Sequence, residues 1–198
     1  MPVKTERARP MSVEERRASI IDAVIPLLVE HGRSVSTRQI ADAAGIAEGT
    51  VFRAFGDKDS LIAAAVDKFF DPEPLRNALR SIDPALTLEQ KLSDILFHLR
   101  ARFVGIFGIM NALGMSERPP IRSERMEYAE IIAEVLGPDL EELRLEPARI
   151  AHFVRLIAFS TAIPRMNEGA EFSTAELASL IRLGVAGVPA ERSTDHAS

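Results

Sequence analysis

The sequence predicts an all-α protein with a small N-terminal helical domain followed by a larger helical domain. Apolar residues recur at helical spacing in nearly every segment, whereas β alternation and Asn-Gly hairpin signals are not evident. With 46% apolar and 27% charged residues, the 198-residue chain can bury a core. The segment Asp71–Pro74, with the sequence DPEP, is the clearest break and predicts the domain junction.

Capping residues mark most of the predicted helix starts. A Ser or Thr followed three residues later by Glu or Gln can satisfy the first turn of a helix reciprocally. This pattern occurs at Ser12–Glu15, Ser36–Gln39, Thr87–Gln90 and Ser173–Glu176. Asp57 is expected to cap a helix, and Pro147 suits the first position of another. Pro26 lies inside the first predicted helix and is expected to kink it or strain its middle.

The longest predicted helix follows Thr87. Its apolar residues recur in steps of three, four and seven: Leu88, Leu92, Ile95, Leu96, Leu99, Phe103, Ile106, Phe107, Met110 and Leu113. A short helix is predicted at 74–82, and others at 121–136 and 147–163. The last predicted helix follows Ser173 and ends near Gly187. The predicted organisation is an arm at 1–13, a domain at 14–70, a domain at 74–188 and a tail at 189–198.

Composition limits the possible functions. The chain lacks Cys, which excludes disulfides and thiolate metal sites. No apolar run approaches the roughly 20 residues that cross a bilayer, so a cytoplasmic protein without a membrane partner is expected. The net charge is −5, but residues 1–60 carry equal numbers of basic and acidic side chains. The first seventeen residues are mildly basic through Lys4, Arg7, Arg9, Arg16 and Arg17.

The segment 36–58, with the sequence STRQIADAAGIAEGTVFRAFGDK, predicts two short helices joined by a turn at Gly45. This is the sequence form of a helix-turn-helix. Small residues at Ala41 and Ala44 allow a close helix crossing. The residues expected in the small core are Ile40, Ile46, Val51 and Phe55. The same segment could simply close a three-helix core, or its polar face could enter the major groove of DNA.

The polar face of this segment divides into residues that position DNA and residues that read it. The helix N-terminus at Ser36 and Thr37 favours a phosphate, and Arg38 and Lys58 are further phosphate candidates. Base reading would fall to Glu48, Thr50 and Arg53. The complete candidate DNA-binding set is Ser36, Thr37, Arg38, Ala47, Glu48, Gly49, Thr50, Phe52, Arg53 and Lys58.

Residues 14–66 resemble the N-terminal domain of the TetR family of transcriptional regulators. That family shows a threonine–arginine start to its second helix, an IA..AG core, a GT..Y..F recognition helix and a K..L start of its fourth helix. The matching residues are Thr37-Arg38, Ile40-Ala41, Ala44-Gly45, Gly49-Thr50, Phe52, Phe55, Lys58 and Leu61. Phe52 replaces the usual Tyr, so a hydroxyl that commonly touches phosphate is missing. The resemblance implies a helix-turn-helix domain followed by a larger effector-binding and dimerisation domain.

What the resemblance implies for the second half is a homodimer and a pocket for an unknown small-molecule effector. The candidate pocket residues are Leu99, Arg102, Phe103, Phe107, Met110, Asn111, Phe153 and Phe159. The candidate dimer residues, on the last two helices, are Phe153, Ile157, Ala175, Ala178, Ile181 and Val185. A symmetric dimer can read a palindromic operator because its two recognition helices lie about one duplex turn apart, ~34–36 Å. The expected function is that of an effector-released repressor, without a cofactor.

Two other classes of function compete with this one. An enzyme is disfavoured because the four histidines show no metal-ligand spacing, and the glycines of GIFGIMNALG lie in a helical stripe. A helical dimeric interaction module that has lost DNA binding stays open, because Phe52 departs from the family pattern and the chain is acidic overall. Strongly salt-dependent binding of DNA would distinguish the regulator from the interaction module.

Overall fold

The computed structural model describes residues 11–115, 124–137, 139, 145–163, 169 and 171–186. This part of the chain is helical and contains no strand, which confirms the predicted fold class. The α-helices are α1 Val13–His31, α2 Thr37–Ala44, α3 Glu48–Phe55, α4 Lys58–Phe70, α5 Glu73–Arg80, α6 Leu88–Leu113, α7 Glu124–Leu136, α8 Pro147–Thr161 and α9 Thr174–Ala186. A 3₁₀ turn, Gly32–Ser34, follows α1.

The predicted caps form as hydrogen-bonded pairs. At Ser12 and at Ser36, the side chain accepts from the third residue of the helix, and that residue's side chain accepts from the cap backbone. The same reciprocal bonds occur at Thr87 with Gln90 and at Ser173 with Glu176. Pro26 does not interrupt α1, which continues from Val13 to His31 with Pro26 exposed.

Two compact units make up the structure, and their division differs from the predicted domains. The first contains the described residues 11–71 and 108–115, and the second contains 72–107 and the described residues beyond 123. The predicted boundary after residue 70 therefore misses the end of α6, which belongs with α1. The physical reason is that the end of α6 packs closely against the end of α1. The carbonyl oxygen of Ala112 lies at Gly32, in the place that a side chain at that position would occupy.

The core of the first unit lies between α1 and the three following helices. α1 packs against α2, α3 and α4, and α2 packs against α3. Its stripe Ile20, Val24 and Leu28 is buried. From the other helices, the buried residues are Ile40, Ala41, Val51, Phe55, Leu61, Ile62, Ala65, Val66 and Phe70. This packing leaves the opposite sides of α2 and α3 accessible.

The second unit has its own apolar core. Leu92, Ile95, Leu96 and Leu99 of α6 are buried with residues of α5, α7, α8 and α9. Lys91 is 2% exposed and donates from Nζ to Asp139 Oδ2 at 2.7 Å. Polar contacts join α6 to α9, between Ser93 and Thr174 and between Glu89 and Arg182, and Arg100 of α6 donates to the Phe172 carbonyl just before α9.

The hydropathy of α6 corrects one expectation from the sequence. An 18-residue window of this 26-residue helix reaches a mean hydropathy of 1.3, so by length and composition it could cross a membrane. The expectation considered only uninterrupted apolar runs, and Arg100 and Arg102 interrupt the run in α6. The many Leu, Ile and Phe residues nevertheless keep the mean hydropathy of the window high. Of that window, 28% is buried. One face of α6 supplies the second unit's core, whereas Phe97 and Val104 are exposed.

Some predicted boundaries are adjusted or lie outside the described residues. The third helix begins at Glu48, with Ala47 as its N-cap, and α8 ends at Thr161 rather than at 163. Outside the described residues lie the predicted arm up to residue 10, the tail at 189–198 and the start of the helix predicted from 121.

Candidate nucleic-acid interface

The helix-turn-helix predicted from the sequence is formed by α2, a short turn and α3. Gly45 ends α2 in the left-handed conformation, with φ 66° and ψ 33°, and donates its N–H back to the last turn. The next residue, Ile46, donates to the Ala41 carbonyl at 3.0 Å, which completes the satisfaction of the helix end. This turn directs the chain from α2 into α3 within three residues, Gly45 to Ala47.

One side of this motif is core, as expected. Ile40 and Ala41 of α2 and Val51 and Phe55 of α3 are buried. Ile46 is half-buried, at the edge of the core rather than inside it. These contacts fix the face that each helix turns inward. They therefore also decide which side chains face solvent.

The accessible face of α3 carries most of the predicted base-reading residues. Ala47, Glu48, Gly49, Phe52 and Arg53 are exposed, and Thr50 is half-buried. The Phe52 ring is 46% exposed, so it is accessible to a partner outside the domain. Arg53 donates from Nε to the Gly49 carbonyl at 3.3 Å, so its stem lies along its own helix.

The N-terminus of α2 lies next to the N-terminus of α3. The Ser36 hydroxyl is engaged in its capping box, accepting from the Gln39 N–H at 3.2 Å and donating to Gln39 Oε1 at 2.8 Å. Arg38 is exposed. The Thr37 hydroxyl donates to Glu48 Oε1, and this bond joins the first residues of the two helices. The residues predicted to meet phosphate and those predicted to read bases thus form one continuous surface.

The Thr37–Glu48 bond does not follow from the sequence pattern. Glu48 is predicted to face a base edge, but in the structure one of its carboxylate oxygens accepts from Thr37. Thr37 and Glu48 are eleven residues apart, and the crossing of two helices brings them together. An ionised carboxylate has two oxygens, so Glu48 retains an acceptor for a further donor.

Lys58 also has partners that its sequence position does not suggest. Its ammonium donates to the Arg33 carbonyl at 3.0 Å and to the Val35 carbonyl at 3.3 Å. These carbonyls lie in the segment that leads into α2. An ammonium has three donors, so one remains for a phosphate. Lys58 therefore holds the start of α2 in addition to carrying charge at this surface.

The start of α4 next to this surface is capped by a carboxylate. Asp57 Oδ1 accepts from the Ser60 N–H at 2.7 Å, as the sequence predicts. The backbone and hydroxyl hydrogen bonds from Ser60 lower the pKa of Asp57 below its ordinary value of 3.8. Asp57 is therefore ionised at neutral pH, which favours its capping role.

The candidate effector residues include one that lines a small cavity and three that form a ring cluster. Leu99 is 1% exposed and lines a cavity of about 50 Å³ with Tyr128, Ile132, His152 and Arg155. Phe103 and Phe107 meet the Phe159 ring edge-on, with centroid distances of 5.3 and 5.4 Å. Arg102, on the same helix, is half-buried. Met110 and Asn111 belong to the first unit, and Asn111 is exposed.

The candidate dimer residues lie on and beneath a face formed by α8 and α9. Phe153, Ile157 and Ile181 line an open groove of about 270 Å³ between these helices. Phe153 belongs to this groove rather than to the ring cluster of Phe159. Ala178 is fully buried in the core beneath the groove, whereas Ala175 is exposed. The side chain of Val185 lies outside the described residues.

Comparisons with known proteins agree with this architecture. Residues 20–65 match the family model of bacterial regulatory proteins, tetR family. An HTH-type transcriptional repressor of Mycobacterium tuberculosis is 36% identical over 92 residues, which are 46% of this chain and 48% of that protein. The chain thus spans about half the length of the curated relatives it matches.

Solved structures share the fold over most of the chain. A TetR transcriptional regulator from Streptomyces coelicolor, 19% identical, superposes with a TM-score of 0.57 over 85% of this chain and 97% of that one. Another tetR-family regulator from the same species is 25% identical, with a TM-score of 0.55 over 86% of this chain and 78% of that one. Residues 20–65, which include the helix-turn-helix built by α2 and α3, are therefore similar to the tetR family of bacterial regulatory proteins, and most of the chain shares the fold of solved TetR-family structures.

Proposed function

We propose that this protein is a dimeric, effector-responsive DNA-binding regulator that acts in the cytoplasm as a repressor. The observation that carries the proposal is the face of α3, which exposes Glu48, Gly49, Phe52 and Arg53 while Val51 behind them is buried. A helix held this way can enter the major groove with its polar side outward. None of its exposed side chains is needed by the core.

Each side chain of this face suits a particular contact. Arg53 can donate to guanine, the free acceptor of Glu48 can meet a cytosine amine, and the Thr50 methyl can meet a thymine methyl. The exposed Phe52 ring offers a second apolar contact to thymine in place of a hydroxyl bond to phosphate. The start of α2, with Ser36, Thr37 and Arg38, and the remaining donor of Lys58 would fix the helix on the backbone.

Dimerisation would occur through α8 and α9. Apolar side chains on these helices are exposed in the single chain: Phe153, Leu156, Phe159, Leu180 and Leu183. Phe153 lines one groove with Leu180 and another with Leu156, so these three side chains are neighbours, and a contiguous exposed apolar surface usually marks an interaction site. Two helices from each of two copies would bury it in a symmetric four-helix interface. The symmetric pair would then read a palindrome.

An apolar or amphipathic effector would oppose DNA binding. The rings of Phe103, Phe107 and Phe159 form an aromatic cluster in the second unit that an apolar ligand could join. The cavity beside Leu99, about 50 Å³, is far smaller than the ~300–1,000 Å³ of ordinary ligand pockets, so effector binding would have to widen it. A ligand that favours this widened state shifts the operator equilibrium by a coupling free energy of typically ~1–3 kcal/mol.

Selection of bound sequences from a random duplex pool tests the proposal. The wild type should enrich a palindromic motif. Arg53→Ala should blur one position of each half-site, whereas Lys58→Ala should weaken binding to all sequences. A matched control is Arg80→Ala, which removes the same charge from an exposed position of α5 in the second unit and should change neither result.

Failure to enrich any motif at low salt would overturn the DNA-reading part of the proposal. The fold would then be retained without DNA reading, and the helical interaction module would become the better description. Sedimentation of the same sample decides the dimer separately, because the α8–α9 face does not depend on DNA. A monomer at micromolar concentration would refute that part of the proposal.

A further inference from the structure

We propose that Arg17 is a positioning residue that fixes the orientation of the recognition helix α3, an inference that rests on the proposed DNA-binding function. The Arg17 side chain donates from Nη1 to the carbonyl of Ala54. Its guanidinium carbon also lies over the ring of Phe55, 4.2 Å from the centroid. By sequence, Arg17 belongs to the basic bias of the N-terminal end. In the structure it is a link between α1 and the end of α3.

The place of Arg17 on α1 makes this link rigid. Arg17 precedes Ile20 by three residues and Val24 by seven, so it lies along the stripe of α1 that faces the core. The capping box of Ser12 and Glu15 starts α1 just before it. Arg17 is half-buried, whereas its neighbour Arg16 is exposed. The guanidinium is therefore carried by a well-packed helix rather than by a free arm.

The recognition helix needs such support. It has eight residues, its N-cap Ala47 provides no side-chain cap, and Gly49 lies in its first turn. Isolated helices shorter than ~12–15 residues are marginal in water. At its other end, the last four carbonyls have no partner within the helix, and Ala54 carries one of them. Arg17 satisfies that carbonyl and places a positive charge where the helix dipole favours it.

Only an arginine can make both contacts at once. The guanidinium is planar, so it can stack on the Phe55 ring while its N–H groups donate sideways to a carbonyl. A lysine ammonium in this place could make one contact or the other. With Phe55 held by its ring and Ala54 by its carbonyl, rotation of α3 about its own axis is restrained. Such a rotation would move Arg53 and Phe52 away from the bases they are proposed to meet.

The test compares Arg17→Met and Arg17→Lys with the wild type in the full chain. Operator affinity is measured over a range of salt concentrations, together with affinity for unrelated duplex. Arg17→Met should weaken operator binding by about 10-fold to 100-fold, as expected for the loss of a charge-assisted hydrogen bond. The salt slope and the affinity for unrelated duplex should stay unchanged. The operator affinity of Arg17→Lys should lie between those of the wild type and Arg17→Met.

Two control variants define what a direct contact looks like. Arg38→Met removes a proposed phosphate contact and should lower the salt slope by ~0.9. Arg80→Met removes the same charge from α5 and should change neither affinity nor slope. If Arg17→Met instead lowered the slope like Arg38→Met and weakened both duplexes equally, Arg17 would be a phosphate ligand and the proposal would be wrong.

Amide hydrogen exchange in the free protein gives a readout that does not require DNA. Arg17→Met should speed exchange at the C-terminal end of α3 by about tenfold, while α9 in the second unit keeps the wild-type rates. Unchanged exchange in α3 would overturn the proposal even if an operator is found. If the wild type selects no operator but exchange in α3 rises as expected, the proposed function fails while the link from Arg17 to α3 is upheld.

Discussion

Gly32 is the position where one added methyl group should disturb the first unit most. It ends α1 at φ 56° and ψ −140°, outside the region that a residue with a side chain prefers. A Cβ at this position would lie 2.2 Å from the Ala112 carbonyl oxygen and 3.2 Å from its carbon. Both atoms are backbone, so no side-chain rotation can relieve the contact. Gly32→Ala therefore combines a backbone penalty with a clash.

The magnitude follows from these two terms. A residue held in a sparsely populated backbone region costs roughly 1–3 kcal/mol. Overpacking by one methyl group in a close-packed place adds roughly 1–3 kcal/mol. Together they predict a loss of ~2–6 kcal/mol from a total free energy of unfolding that is typically ~5–15 kcal/mol. A loss of this size in the free energy of unfolding should lower the urea concentration at the midpoint of unfolding measurably.

Gly45→Ala is the matched control. Gly45 also has a positive φ, 66°, but lies in the ordinary left-handed region, and among the described residues no atom beyond its own chain neighbourhood lies within 4 Å of the place a Cβ would take. The expected loss is only ~1–2 kcal/mol, because no clash is added. Both variants are compared by urea unfolding followed by far-ultraviolet circular dichroism. If the two lose equal stability, the close approach of Ala112 to Gly32 is not what makes glycine necessary.

Three further predictions concern charge and the exposed α8–α9 face. Asp139→Ala leaves the Lys91 ammonium buried without its partner and should lower the free energy of unfolding by ~3–5 kcal/mol, and the double variant Lys91→Met/Asp139→Leu should recover most of it. Hydrogen bonds from the backbone and then the hydroxyl of Ser12 lower the pKa of Glu15 in the folded protein. The Glu15 carboxylate therefore stabilises the fold fully above pH 4.5, and this stabilisation is lost as the pH falls through the lowered pKa of the folded state. Thermal melts should therefore show the wild type's advantage over Glu15→Gln shrinking below pH 4.5, and a constant difference would contradict the cap. Leu180→Glu places an unpaired charge on the proposed dimer face and should weaken self-association by at least ~100-fold in sedimentation, whereas Arg80→Glu on α5 should not.

The helices and their ends could be predicted from the sequence because their causes are local. The pair Ser36 and Gln39 caps α2, Asp57 caps α4, and Gly45 ends α2, each through bonds within a few residues. The apolar spacing of α1 and α6 likewise repeats at the helical period, whichever fold surrounds it. The helix-turn-helix follows from the same kind of information, because its core residues and its turn all lie within the short segment from α2 to α3.

What the tertiary structure decided is where the side chains of this surface find their partners. Glu48 bonds to Thr37, Lys58 to the Arg33 and Val35 carbonyls, and Arg17 to Ala54, over separations of 11, 25, 23 and 37 residues. The assignment of residues 108–115 to the first unit has the same origin. These contacts depend on the angle and position at which the helices cross. The crossing is set by the packing of whole helix faces against each other, and the helical period of about 3.6 residues does not specify that packing. The sequence by itself therefore determined the elements and the proposed reading face, while the packing of α1, α2 and α4 around α3 determined which charged residues support that face.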